Sequence, residues 1–133
     1  MAGMKDLGKL LKTMKPAVVP GEYVFCSLSN EEFPKLDKEP VLFFREREGI
    51  TVIISKEEAE SKSLEYSGVW GMITLSVHSD LHAVGFLAEI SRHLAEAGIS
   101  LNVVSGYYHD HLFVPYGKTG KAMDILESLS GSR

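Results

Sequence analysis

The chain has 133 residues, a hydrophobic fraction of 44% and a charged fraction of 24%, as expected of one compact soluble protein or of two very small packed halves. Its net charge of −4 and its lack of a Lys/Arg run exclude a nucleic-acid or anionic-membrane surface, because phosphate binding needs concentrated positive charge. A single cysteine, Cys26, excludes a disulfide within the chain. Without a signal peptide or a bilayer-long apolar run, the sequence predicts a cytoplasmic protein.

The first elements predicted along the chain are a helix and a strand. Apolar side chains recur at helical spacing over residues 4–14, which predicts an amphipathic helix that Pro16 ends. Residues 22–29 are predicted to form a strand. The apolar positions of the helix are Leu7, Leu10, Leu11 and Met14.

A hairpin and a short helix are predicted next. The strands VLFFRER and ITVIIS join at Glu48-Gly49, where we expect glycine to supply the positive φ of a tight turn. Ser55 precedes KEEAESK, which predicts an N-cap and a short helix with acidic residues in its first turn.

In the second half, the segment GMITLSV alternates as a strand does and precedes the clearest helix, predicted over residues 83–97. Ser79 or Asp80 is expected to cap that helix, and Gly98 suits the left-handed position after it. The strands ISLNVVSGYY and HLFVP follow, and then a helix over residues 118–129. The stripe expected to be buried on the first of these helices consists of Ala83, Leu87, Ile90, Leu94 and Ala97.

Both halves therefore end in a hairpin followed by a helix, which indicates a duplicated unit. The predicted fold class is α+β, ferredoxin-like, with two tandem β-α-β-β-α units and antiparallel sheets. We place the domains at residues 1–68 and 69–133.

The segments SVHSDLHAVGFLAEIS, AGISLNVVSGYYHDHLFVP and YVFCSLS resemble the bacterial family of small proteins built from two tandem ACT-like domains. The second half is also similar to the ACT domains of the CASTOR-type arginine sensors. The resemblance implies a ferredoxin-like fold and a regulatory role in which amino acids bind. The loop between Val77 and Gly85 is longer than the usual ACT loop and lacks its proline. No strand follows the last helix, so residues 17–19 or 64–70 are expected to complete a sheet edge.

The hairpin VVSGYYHDHLFVP contains two histidines that could ligate a metal, contact a ligand or decorate an interaction surface. If His109 and Asp110 are the two central residues of a tight turn, Tyr108 faces His111 and Ser105 faces Val114. The two histidines then diverge, so we predict no metal there. A polar hairpin tip that packs on a neighbour is the favoured alternative.

The candidate ligand-binding residues lie between strand and helix, and on the next strand. Ser79, Asp80 and the amides from Leu81 to Gly85 are placed to receive the carboxylate and the ammonium group of an amino acid, although Ser79 or Asp80 could instead be a plain helix cap. Ser100 and Asn102 lie two apart on the polar face of the strand that an ACT-type ligand would border.

No nucleophile elbow, phosphate-cradling loop, CxxC pair or HExxH motif occurs, so we expect neither an enzyme nor a cofactor. The sequence favours a non-enzymatic regulatory or sensor module, a homodimer, that binds a small amino acid at the interface of its ACT domains. The alternatives are a protein-interaction module without a small ligand and, least favoured, a His-dependent metal site.

Overall fold

The computed structural model describes residue 3 and residues 5–131. These residues form four helices and six strands, with short 3-10 turns before β2 and before α4. In chain order they are α1 (Leu7–Thr13), β1 (Pro16–Leu28), β2 (Leu42–Arg45), β3 (Ile50–Ser55), α2 (Lys56–Ser61), β4 (Trp70–Leu75), α3 (Phe86–Glu96), β5 (Asn102–Ser105), β6 (Asp110–Pro115) and α4 (Thr119–Ser130). The predicted α+β class and ferredoxin-like arrangement are confirmed.

The chain forms two compact units. The large unit comprises Met1–Pro20 and Gly71–Arg133, and the small unit comprises Gly21–Trp70. Strand β1 crosses this boundary between Pro20 and Gly21. The strand order is β1-β4-β6-β5 in the large unit and β2-β3-β1 in the small unit. The predicted domain bounds of 1–68 and 69–133 describe sequence repeats rather than these packing units, and they stay a prediction.

The start of β1 completes the sheet edge of the large unit. The backbone N–H of Ser76 donates to the carbonyl oxygen of Met14 at 2.7 Å, and β1 is the neighbour of β4 in the strand order. Residues 17–19, one of the two segments expected at this edge, lie in β1. The helix before it begins later than predicted, because Asp6 is its N-cap and accepts a hydrogen bond from the N–H of Lys9. Residue 4, the predicted start, lies outside the described residues.

Three helices cover the core of the large unit. Phe86, Ile90 and Leu94 of α3 are buried, whereas Leu87 is only partly buried. The predicted stripe is fully buried at Ile90 and Leu94, and its other members, Ala83, Leu87 and Ala97, pack against the same core while staying partly exposed. The rest of this core is formed by Leu10, Met14, Ile73, Leu75, Val77, Ile99, Leu112, Val114, Ala122 and Leu126. The small unit has a core of its own, formed by Val24, Cys26, Leu28, Ile50, Val52, Ile54 and Ala59.

The predicted register of the tyrosine–histidine hairpin was wrong. Ser105 pairs with Asp110 and Val104 with His111, four positions earlier on the second strand than expected. Because the shift is even, each strand residue keeps its predicted face. The loop is closed by the N–H of Gly106, which donates to the carbonyl of His109 at 2.9 Å, so Asp110 begins β6 and does not lie in the turn.

Gly49 closes the other hairpin for a different reason than predicted, because its φ is not positive. A Cβ atom there would lie 2.8 Å from the Ser27 hydroxyl oxygen and 3.0 Å from the Leu28 carbonyl oxygen. Glycine is needed for close approach to β1. As predicted, Ser55 caps α2 by accepting a hydrogen bond from the N–H of Glu58.

No helix formed by residues 5–131 is long and apolar enough to cross a membrane.

The burial of α3 predicts an order of stability losses. Leu94→Ala removes a fully buried side chain and should lower the free energy of unfolding by about 2–5 kcal/mol. Leu87→Ala, in the same helix, should cost less because its side chain keeps contact with water. Denaturant melts of both variants measure this. A larger loss for Leu87→Ala would contradict the orientation of α3.

Candidate functional site

A cavity of about 160 Å³ lies in the large unit, between the loop after β4, the start of α3 and the end of the β5–β6 hairpin. The last cross-strand pair before the hairpin loop, Ser105 and Asp110, is called the closing pair. Its lining combines acidic and hydroxyl side chains with apolar ones. The lining residues are Ser79, Asp80, Leu81, Ala83, Gly85, Phe86, Leu87, Ala88, Ser105 and Asp110. We call it the α3 cavity.

A buried carboxylate forms one wall of the α3 cavity. Asp110 is 5% exposed, and its Oδ2 accepts a hydrogen bond of 2.9 Å from the Ser79 hydroxyl. A buried carboxylate is costly unless donors surround it. This bond therefore ties the loop after β4 to the first residue of β6.

Asp80 shapes the turn that leads into α3. Its Oδ1 accepts from the backbone N–H of His82 at 2.7 Å, and its carbonyl accepts from the N–H of Ala83 at 2.9 Å. The hydrogen bond from His82 is the main cause that lowers the pKa of Asp80; burial opposes it and the charge of Lys5 reinforces it. Asp80 is thus an ionised carboxylate at neutral pH.

The expectation that Ser79 or Asp80 caps α3 was wrong. The helix begins at Phe86, and its N-cap is Gly85 with φ +90°. Residues 81–85 lie outside the helix, and the amides of His82 and Ala83 are bound to Asp80. Within the described part of the chain, no side chain caps α3. The first-turn amides of Phe86 to Ala88 lack an intrahelical acceptor, as at every helix start.

The structure brings four of the six predicted site residues together. Ser79, Asp80, Leu81 and Gly85 line the α3 cavity, whereas Ser100 and Asn102 are exposed and do not. Asn102 pairs with Phe113 at the far end of β5.

Sequence reasoning missed five further lining residues, which are Phe86, Leu87, Ala88, Ser105 and Asp110. The first three were placed inside a helix that was expected to begin at residue 83. The signal for the last two was Gly106, because a four-residue loop that starts there makes Ser105 and Asp110 the last cross-strand pair before the loop. With Asp110 assigned to the turn, the buried carboxylate of the cavity could not be recognised.

Tyr107 and Tyr108 pack against each other and against His78 at the hairpin tip, whereas His111 lies on β6. Tyr107 and Tyr108 are both 61% exposed, and the His78 ring lies 5.2 Å from that of Tyr108 between centroids. His111 Nδ1 lies 3.0 Å from the Thr74 hydroxyl. Over residues 5–131, no group of three or more His, Cys, Asp or Glu side chains could hold a metal. The predicted lack of metal binding itself stays a prediction.

Two family models match the chain, both described as ACT domains, over residues 2–71 and 69–128. The chain belongs to the ACT-domain family and contains two such domains in tandem. ACT domains are regulatory modules and not catalytic ones.

Solved structures have the same fold. A protein of unknown function from Vibrio cholerae, described as a possible transport protein, is 41% identical, with a TM-score of 0.83 over 95% of this chain and 97% of that one. The regulatory subunit of aspartate kinase from Thermus flavus is 6% identical, with a TM-score of 0.65 over 97% and 99% of the two chains. Aspartokinase III of E. coli, solved with aspartate and ADP, is 11% identical, with a TM-score of 0.62 over 86% of this chain and 32% of that one.

The likeness to the two kinase structures shows the fold alone. The predicted similarity to arginine sensors is not confirmed by these matches. No curated protein matches the chain.

The environment of His111 predicts a pH dependence of stability. Burial lowers the pKa of His111, and the charge of His109 adds to this effect. In the unfolded chain a histidine titrates near pH ~6.5, so below that pH the unfolded state binds more protons than the folded one. The free energy of unfolding should fall as pH drops from about 7.5 to about 5.

Denaturant midpoints across this interval measure the effect. The His111→Asn variant should lose much less unfolding free energy over this pH interval than the unmodified protein. The His109→Asn variant, which removes only the smaller cause, should lose nearly as much as the unmodified protein. Identical pH profiles for the unmodified protein and His111→Asn would show that His111 is not the group responsible.

Proposed function

We propose that this chain is a non-enzymatic regulatory module of the cytoplasm that binds a small amino acid in the α3 cavity. The observation that supports this most directly is the composition of the cavity wall. A helix start without a side-chain cap and a buried carboxylate face the same space. An amino acid carries the two complementary groups, a carboxylate and an ammonium, a short distance apart.

The carboxylate of the amino acid is proposed to bind the first-turn amides of α3. Phe86, Leu87 and Ala88 carry these amides and line the cavity. Free N–H groups and the positive end of the helix dipole favour an anion there. The amides of His82 and Ala83, inside the range that the sequence indicated, are already bound to Asp80.

The ammonium group is proposed to lie between Asp110 and Asp80. Both side chains line the cavity, and a hydrogen bond between a cation and a carboxylate is stronger than a neutral one. Ser105 adds a hydroxyl at the same end of the hairpin. Asn102, which the sequence also indicated, lies outside the lining.

The fold is shared with regulatory subunits of aspartate kinase and with part of an aspartokinase that was solved with aspartate and ADP, which is consistent with this role.

The homodimer is likewise a proposal. It is supported by Phe43 and Phe44, which are 52% and 65% exposed on β2, the last strand in the order of the small unit. Light scattering that gives the mass of one chain would contradict it.

A protein-interaction module is the second candidate. Tyr107 and Tyr108 are exposed at the hairpin tip and lie 5.0 Å apart between ring centroids, which is the type of aromatic surface that protein interfaces favour. This function needs no ligand in the α3 cavity.

A thermal-shift screen against the twenty amino acids tests the proposed function. A ligand that binds only the folded state raises the melting temperature, by an increment that grows with its concentration. We expect at least one amino acid to do so at millimolar concentration, and Asp110→Asn to abolish that increment. Asp37→Asn, which removes an exposed carboxylate of the small unit, is the matched control and should keep it. If none of the twenty raises the melting temperature, the interaction module becomes the better account.

A further inference from the structure

The two units contain the same hairpin with different side chains at its closing pair. In the small unit Arg45 pairs with Ile50, and in the large unit Ser105 pairs with Asp110. Both loops between them have four residues. Each is closed by the same hydrogen bond of 2.9 Å, from the first loop residue to the carbonyl of the last. Arg45 therefore corresponds to Ser105, and Ile50 corresponds to Asp110.

The first strands of the two repeats, β1 and β4, can be matched in the same way. Alternate residues of β1 are buried up to Leu28, and alternate residues from β4 onward are buried up to Val77. Asn30 and Ser79 each lie two residues beyond the last of these buried positions. Asn30 of the small unit therefore corresponds to Ser79 of the large unit.

The matched positions have opposite chemistry. In the large unit Ser79 donates to the buried Asp110 carboxylate. In the small unit the Arg45 guanidinium donates to Asn30 Oδ1 at 3.2 Å, and the position of the carboxylate is taken by Ile50, which is 3% exposed. The place that would receive an ammonium group thus has a cation and an apolar side chain.

The turn after β1 is also closed by its own side chains. The N–H of Ser29 donates to Glu32 Oε1 at 2.8 Å, and the N–H of Glu32 donates to the Ser29 hydroxyl oxygen at 3.1 Å. This reciprocal pair satisfies two turn amides. Phe33 fills the neighbouring space, with its ring 5.1 Å from that of Phe43 between centroids and 6.0 Å from the Arg45 guanidinium carbon.

We infer that the chain binds one amino acid and not two, and that Arg45 and Ile50 are the residues that make the matched position of the small unit unable to bind one. The inference rests on the proposed function of the α3 cavity. The small unit keeps the strands of the repeat, but the three-residue 3-10 turn Phe33–Lys35 stands where the large unit has α3. It also lacks the carboxylate that holds the ammonium group, and Arg45 repels that group. One chain therefore binds a single amino acid, and its two ACT domains have different roles.

Calorimetric titration of the full chain with each of the twenty amino acids measures the stoichiometry. We expect one binding site per chain for every amino acid that binds. Asp110→Asn should remove all binding. Ser105→Arg copies the arrangement of the small unit onto an exposed position and should weaken binding at least ~30-fold, as expected when a charge pair is disrupted. Arg45→Ser, the reciprocal change, should leave both stoichiometry and affinity unchanged, because Ile50 still stands where a carboxylate is needed.

Amide NMR spectra identify the unit that binds, even for a variant of reduced stability. The amino acid that binds should shift the signals of residues 79–88 and 105–110 and leave those of residues 29–33 and 45–50 in place. Two sites per chain, or one site that survives Asp110→Asn with shifts at residues 29–33, would overturn the inference while amino-acid binding itself stood. Absence of heat for all twenty amino acids would instead reject the proposed function and the inference with it.

Discussion

The hydrogen bond between Ser79 and Asp110 is the contact on which the candidate site depends. Asp110 is nearly excluded from water, and a carboxylate in that position needs a donor because its desolvation is costly. The donor comes from the loop after β4, so this bond fixes that loop against the first residue of β6. The helix α3 begins a few residues later, and its first-turn amides then face the same cavity as the carboxylate. The small space thus combines a positive and a negative wall.

The repeat within the chain shows how one backbone can carry different chemistry. Both hairpins have the same register and the same loop closure, yet one closing pair is Ser105 with Asp110 and the other is Arg45 with Ile50. The backbone fixes where the side chains lie, and the side chains decide what can bind. Family membership therefore specifies the architecture of both domains without assigning both the same function.

The parts of the fold that depend on periodicity could be predicted from the sequence. Apolar spacing located the helix that buries Ile90 and Leu94. Residues 17–19 or 64–70 were expected to complete a sheet edge, and the first of these segments lies in β1. The parity of the β5–β6 faces was also predictable, because an even shift in register leaves it unchanged. These features are set by repeated contacts that average over many residues.

The site could be predicted only in part, because it depends on single hydrogen bonds. Helical spacing extended α3 back to Ala83, but Asp80 binds the amides of His82 and Ala83 and holds them in a turn. Assigning Asp110 to the hairpin turn concealed the buried carboxylate. The observed loop of residues 106–109 and the predicted turn at His109-Asp110 differ in register by four positions, and composition does not distinguish the two.

A crystal structure of the chain with its amino acid bound tests the central claim most directly. The account predicts density in the α3 cavity, with the ligand carboxylate about 3 Å from the backbone nitrogens of Phe86 to Ala88 and its ammonium at hydrogen-bond distance from Asp110. An empty α3 cavity, with density for the amino acid at another position, would contradict it.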